Sequence, residues 1–337
     1  MAYLSRLSLI NFRNFAELEV DLPLGVVVFT GANAQGKTTL LEAAYLLAIA
    51  RSFRAENERE VINFPAGLNG EQALVRGVVE KKDQRLSVNV GYQSTATPGS
   101  TATSVDALGY SVRKQIRVNR IRYTAADLVG MVGAVLFSAD DIDLVYGAPS
   151  GRRRYLDILI SQADPPYIKA LQRYQRVLQQ RNRLLKMLRE GRAGADELEF
   201  WNVELVREGG AITWQRQEVM KQLALFCAEH HGELSESSDE FQIEYRPSVI
   251  GGDSLSSTEE RFQESLAAFQ HRELATATTV VGPHRDDFRL LVNRLDMGTF
   301  ASRGEARTLA LTLRLAEASY LSATRDDEPV VLLDDVL

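Results

Sequence analysis

Cysteine is almost absent from this chain: Cys227 is the single one in 337 residues. No internal disulfide can form, and no Cys/His spacing has the rhythm of a zinc site, which together fit a reducing cytoplasm. Long apolar runs are missing too. No stretch approaches the roughly 18 consecutive apolar residues that span a bilayer, and Met1-Ala2-Tyr3-Leu4-Ser5-Arg6 alternates instead of building a signal-peptide core. Membrane and secreted classes drop out, and no internal repeat is evident. A positive total is also lacking, since 39 Lys+Arg against 45 Asp+Glu leave −6. For the chain as a whole that argues against a nucleic-acid partner, because phosphate contact needs local positive charge. The sum hides its distribution, however. Between Tyr110 and Arg192 sixteen Lys/Arg stand against seven Asp/Glu, a segment of +9 beside −15 in the rest.

What remains is an ordinary globular composition, 45% hydrophobic and long enough for two lobes. Tyr3 to Ile10, Leu18 to Leu22 and Val26 to Phe29 read as strands, the last one buried, and residues 38 to 51 switch to a helical period. Further strands are expected at Leu74 to Glu80, Arg85 to Tyr92 and Val112 to Val118, with Gln93 to Ser104 as a polar loop. From Tyr167 to Arg192, Ile168, Leu171, Leu178, Leu185 and Leu188 form a narrow apolar stripe on a long helix. A second helix begins near Asp196, whose N-cap pair with Glu199 is expected, so the two predict an antiparallel hairpin. A polar stretch over 230–240, a strand at Phe241 to Tyr245, a helix around Thr258 to Leu274, a strand at Asp287 to Val292, a helix from Glu305 and a strand at Pro329 to Asp334 follow.

Gly31-Ala32-Asn33-Ala34-Gln35-Gly36-Lys37-Thr38, followed by Thr39, fits G-x-x-x-x-G-K-[ST] between a strand and a helix. The glycines let backbone N–H groups close around phosphate oxygens, the helix N-terminus adds positive potential, Lys37 bridges the outer phosphates and Thr38 ligates Mg²⁺. Such a nucleoside triphosphate site needs a carboxylate at the end of a neighbouring buried strand. Val330-Val331-Leu332-Leu333-Asp334-Asp335 supplies one, Asp334 holding the metal and Asp335 orienting water. Ser302-Arg303-Gly304-Glu305 opens a helix either as a plain S-x-x-E capping box or as a phosphate-facing turn for the nucleotide of a second subunit.

The order of these motifs resembles the ABC-type ATPase heads of the SMC and Rad50-like proteins and, more narrowly, the RecF family. The resemblance rests on Leu9-Ile10-Asn11-Phe12-Arg13-Asn14-Phe15, the phosphate loop, Leu136 to Asp141, Pro149-Ser150-Gly151-Arg152-Arg153-Arg154-Tyr155-Leu156-Asp157, Gly282-Pro283-His284-Arg285-Asp286-Asp287, and Arg307 to Leu311. It implies an α/β fold, an ABC-type P-loop ATPase head (lobe I, 1–148 and 276–337) with an inserted, mainly helical lobe II (149–275). It further implies an ATP-dependent homodimer on gapped or junction DNA, working with RecO and RecR, and a weak DNA-stimulated ATPase. By position, Lys37, Thr38 and Asp334 match the family's nucleotide and metal residues, and Ser302 and Gly304 its signature. Asp335 stands where many ABC ATPases have Glu, and Glu305 departs from the more usual Gln. An ABC head continues beyond its metal aspartate, so the stop at Leu337 reads as a truncation, and residues 1–337 alone are expected to hydrolyse ATP poorly.

The basic segment, with Tyr155, Tyr167 and Tyr174 interleaved, is read as a phosphate-backbone surface, and Arg181, Arg183 and Lys186 are assigned to it. No base-reading module is present, so contact is expected to be independent of sequence. Arg152, Arg153 and Arg154 open a helix where cations oppose its dipole, which requires an anion. DNA phosphate, an inter-lobe ion pair and a subunit contact all satisfy that need. His284 to Asp287 is either a turn held by internal salt bridges or a sensor. Two other functions compete: a structural SMC-like head, which needs far longer coiled-coil arms, and a P-loop enzyme or nuclease, for which no further acidic cluster or nucleophile is found.

Overall fold

The computed structural model describes residues 2–96, 110–194, 196–235 and 239–335. They divide into two compact units, 1–139 with 321–337, and 140–320. None of the helices among them is long and apolar enough to cross a membrane.

In the first unit, β1 (Tyr3–Phe12) and β2 (Phe15–Asp21) precede α1 (Lys37–Ile49) and the short α2 (Phe64–Leu68). Four further strands, β3 (Gln72–Glu80), β4 (Arg85–Ala96), β5 (Tyr110–Val118) and β6 (Ile121–Tyr123), complete a six-stranded antiparallel sheet in the order β2-β1-β3-β4-β5-β6. Alternation sets its faces: Ala73, Val75, Gly77 and Val79 of β3 and Val88, Val90 and Tyr92 of β4 are buried on the inner side, and the side chains between them point outward. The β5–β6 turn places Asn119 and Arg120 at φ 48° and 71°, the double left-handed geometry of a tight hairpin. Next come α3 (Ala125–Leu128) and β7 (Ala134–Ser138).

The second unit contains α4 (Asp143–Tyr146), α5 (Pro149–Ala163), the long α6 (Pro165–Arg189) and α7 (Glu197–Leu234), β8 (Phe241–Arg246), α8 (Leu255–Thr276), β9 (Asp287–Val292), β10 (Leu295–Asp296), α9 (Met297–Phe300) and most of α10 (Arg303–Thr324). Strands β8, β9 and β10 form an antiparallel sheet. Helix α7 runs through Gly209, a residue that ordinarily weakens a helix interior. A Cβ there would overlap the Phe262 ring of α8, so the close packing of the two helices requires it. The chain returns to the first unit in β11 (Val330–Asp334), which pairs in parallel with β7.

Several expectations need correction. Val26 to Phe29 is no buried strand: Val26 is 93% and Val28 74% exposed, and among the described residues nothing pairs with the run. An apolar run becomes a strand only where a ladder partner takes its N–H and C=O groups. Residues 93–96 prolong β4 because β5 offers them partners, and 97–104 lie outside the described residues. Asp196 makes no side-chain cap bond; instead the Glu197 carboxylate accepts the Gly194 N–H. Helix α7 extends through 230–234, where His231 packs on Phe241.

Candidate functional site

The phosphate loop turns into α1 through left-handed backbone at Ala34 (φ 64°) and Gly36 (φ 97°). At Gly36 a Cβ would lie 2.7 Å from the Phe15 ring and 2.8 Å from Asn14 Nδ2, so the tip of the β1–β2 hairpin closes on the loop and only glycine fits. Lys37 Nζ donates to the carbonyls of Gly31 (2.8 Å) and Ala32 (3.1 Å), holding the ammonium over the loop. The Thr38 hydroxyl donates to Asp334 Oδ1 at 2.9 Å. The parallel register of β11 on β7, with Asp334 opposite Ser138, carries Asp334 to the start of α1. That strand is only partly buried, contrary to expectation, with Val331 and Leu333 50% and 60% exposed. Asp335 follows in left-handed backbone (φ 48°) and lines the same cleft.

The cleft has a volume of about 670 Å³. Part of its wall carries no role in the sequence reading: Arg13, Asn14, Arg54, Glu60, Ile62 and Phe64. Behind the wall lies Glu42, a fully buried carboxylate on α1. Arg13 grips it at 2.6 and 3.0 Å, Ser52 Oγ donates to it at 2.5 Å and Arg54 stands 3.9 Å away. A buried carboxylate needs such partners, and here they fix two cations at the edge of the cleft. The signal in the sequence was an acidic residue on the apolar side of α1, which nothing local explained.

At the start of α10 the S-x-x-E pair closes a capping box: the Ser302 N–H donates to Glu305 Oε2 (2.7 Å) and the Glu305 N–H to Ser302 Oγ (3.3 Å). The Ser302 hydrogen bonds hold the Glu305 carboxyl below its ordinary range. The turn itself, including Gly304, is exposed.

The basic residues sort by burial. Arg152 makes a bidentate pair with Asp287 (2.7 and 2.9 Å), and Arg153 donates to the Asp286 carbonyl (2.9 Å). The carboxylate of Asp287 thus answers the cation at the start of α5. Arg181 is no surface cation: it is 1% exposed and bound to Glu273 Oε2 (2.6 Å), Thr279 Oγ1 (2.8 Å) and Asn202 Oδ1 (2.9 Å). Tyr155, Tyr167 and Tyr174 are likewise buried, with hydroxyls on Leu313 O, Asp157 and His284, so they offer no stacking faces. Arg183 and Lys186 remain exposed.

Of His284 to Asp287, Asp286 is buried in a polar core, His284 and Asp287 are half-buried and Arg285 is exposed. Asp286 accepts from Arg216 (3.0 Å), Tyr245 (2.6 Å) and the Ser248 N–H (2.8 Å), and Arg216 also reaches Asp157 (2.8 Å). Burial pushes the His284 imidazole from 6.5 down to about 4. Below the unfolded value the unfolded chain takes up a proton that the folded chain refuses. The stability is therefore complete above pH 6.5 and lost as pH falls toward 4. Between about pH 7.5 and 5 this residue should cost about 2 kcal/mol of unfolding free energy. Urea titrations at both pH values check it: His284→Gln should remove that share of the pH dependence, and an unchanged dependence would contradict it.

Comparison with known proteins agrees with this geometry. The model for the RecF/RecN/SMC N terminal domain matches residues 3–337. DNA replication and repair protein RecF of Herpetosiphon aurantiacus is 38% identical over 343 residues, covering 99% of this chain and 86% of that protein. The RecF of Geobacillus kaustophilus is 36% identical over 340 residues, with the same coverage. A solved structure of the recombination mediator protein RecF-ATP in the RecFOR pathway superposes with a TM-score of 0.88 at 32% identity, covering 99% of this chain and 85% of that one. The fold is that of an ABC-type ATPase head, and the chain belongs to the RecF family of the RecF/RecN/SMC proteins.

Proposed function

We propose that the chain is an ATP-dependent DNA-binding protein of recombinational repair and replication restart. It closes as a homodimer around two nucleotides on gapped or junction DNA in the cytoplasm and promotes recombinase loading with RecO- and RecR-type partners. The observation that carries this reading is the meeting of Thr38 and Asp334, 296 residues apart in sequence, at 2.9 Å beside the phosphate loop. The named relatives and the RecF-ATP structure support it.

One hydroxyl and one carboxylate are a donor set that suits Mg²⁺, which takes one or two protein oxygens beside phosphate oxygens and water. Bound there, the ion would neutralise phosphate charge. Lys37 would hold the outer phosphates, Asp335 would orient water for slow, DNA-stimulated hydrolysis used as a switch, and the exposed Ser302–Gly304 turn would meet the nucleotide of a second copy. A structural SMC-like head is not favoured, because α6 and α7 have 25 and 38 residues, about 38 and 57 Å, where long arms are needed.

Sedimentation tests the reading. ATP with magnesium should convert monomer to dimer, ADP should not, and gapped duplex should strengthen the dimer. Ser302→Arg should stay monomeric while still binding ATP. A chain that remains monomeric with ATP and DNA together would overturn the clamp.

A further inference from the structure

The outward face of the six-stranded sheet carries charge of one sign at one end and of the other at the opposite end. The pairing registers align Glu19 of β2, Ser8 of β1, Arg76 of β3, Asn89 of β4, Arg117 of β5 and Arg122 of β6 in one row across all six strands. Residues directly opposite share a face, and Arg76, Arg117 and Arg122 are all exposed. Arg113 lies on the same face of β5, four residues from Arg117.

At the β2 end two of the carboxylates are answered internally, Asp21 (2.7 Å) and Glu19 (3.4 Å) by Arg6. From β3 to β6 the outward positions hold five arginines, at 76, 85, 113, 117 and 122, against Glu80 alone, and Glu80 is taken by Arg85 at 3.0 Å. The other four make no ion pair among the described residues. Arg117 and Arg122 face each other directly, a like-charge pairing that weakens a sheet. On the inward face, by contrast, Lys114 of β5 is paired with Glu58. The unanswered cations are therefore confined to one side of the sheet.

We propose that this face, over β3 to β6, is a binding surface for the sugar-phosphate backbone of duplex DNA, separate from the exposed cations of α6. The inference rests on the DNA reading above. Neighbouring strands lie about 4.8 Å apart, so Arg76, Arg117 and Arg122 span roughly 15 Å, with Arg113 about 13 Å along the strand. That breadth compares with the roughly 12 Å of a major groove, which lets one row touch the backbones on both sides. The outward positions of β3 to β6 carry no aromatic ring, whereas single-strand binding relies on stacking platforms. Ser87, Asn89 and Gln115 between the arginines add neutral hydrogen-bonding groups suited to phosphate and sugar.

The test is anisotropy of a labelled blunt duplex with the full chain, ATP and magnesium, across about 50 to 200 mM salt. Arg76→Gln/Arg117→Gln/Arg122→Gln should bind at least about tenfold more weakly, and its log K against log salt should be shallower by about 2.7, at about 0.9 for each phosphate that is no longer neutralised. Changing the same three positions to Lys should restore most of the slope, because the recognition is of charge. A glutamine variant that keeps parental affinity and slope, with parental ATP binding and melting, overturns the surface and leaves the arginines as guards of the β6 edge. A parent chain that fails to bind duplex at all instead overturns the DNA reading itself.

Discussion

Lys37→Ala should lower the affinity for ATP by two to four orders of magnitude. The ammonium is held at the loop by the Gly31 and Ala32 carbonyls, with no carboxylate bonded to it among the described residues, so its charge is available to phosphate. A hydrogen bond to a charged group contributes about 1.5–3 kcal/mol, and two to the outer phosphates come to about 3–6 kcal/mol, at about 1.4 kcal/mol per decade. The fold should be untouched, because the bond of Thr38 to Asp334 and the burial of Glu42 by Arg13 do not involve the lysine. Titration with a fluorescent ATP analogue reads the affinity and thermal melting reads the fold. Affinity within threefold of the parent, with an unchanged melt, would mean that this loop does not hold the outer phosphates. ATP-induced dimerisation should disappear in step with nucleotide binding, since the proposed dimer draws on nucleotide in both pockets.

Arg181→Ala should destabilise the second unit by about 3–5 kcal/mol, where Arg183→Ala and Lys186→Ala should each stay within about 0.5 kcal/mol. All three are basic residues within six positions on α6, yet they differ in what removal leaves behind. Glu273 would keep a carboxylate in a fully buried site with the Val280 N–H (2.9 Å) as its remaining partner, and Thr279 and Asn202 would each lose a donor. At about 2–4 °C per kcal/mol, the melting temperature should fall by roughly 10 °C. Arg181→Met/Glu273→Leu should recover part of the loss, because removing both charges leaves no uncompensated ion. Calorimetry decides. An Arg181→Ala melt equal to that of Arg183→Ala would show that the ion pair adds nothing. DNA binding should be read only on the α6 variants that keep the fold, so Arg181 belongs outside any surface-charge scan.

The misassignment of Arg181 has an identifiable cause. Tyr174, Val177, Arg181 and Leu184 recur at helical spacing on the buried side of α6, and all four are buried. An arginine at an apolar position of the period is a signal that it has a buried carboxylate, but the period does not say where that carboxylate is. Glu273 lies 92 residues away on α8. Glu42 poses the same problem, as a carboxylate on the inner side of α1 whose partners Arg13 and Ser52 come from other segments.

The sequence by itself determined the elements with a strong period and the chemistry that is contiguous in the chain. The phosphate loop is eight consecutive residues whose function depends on backbone N–H groups and one lysine, and the capping box at Ser302 is a local hydrogen-bond exchange. The strands β3, β5 and β9 were legible because alternation is imposed residue by residue. Tertiary structure alone decided which charges reach solvent and which are spent inside. Of the basic residues, Arg152, Arg181 and Arg216 are held by Asp287, Glu273 and Asp286. Arg76, Arg117 and Arg122 face outward in one row through strand register. Charge acts over a few ångströms, and only the fold sets which distant residues come that close.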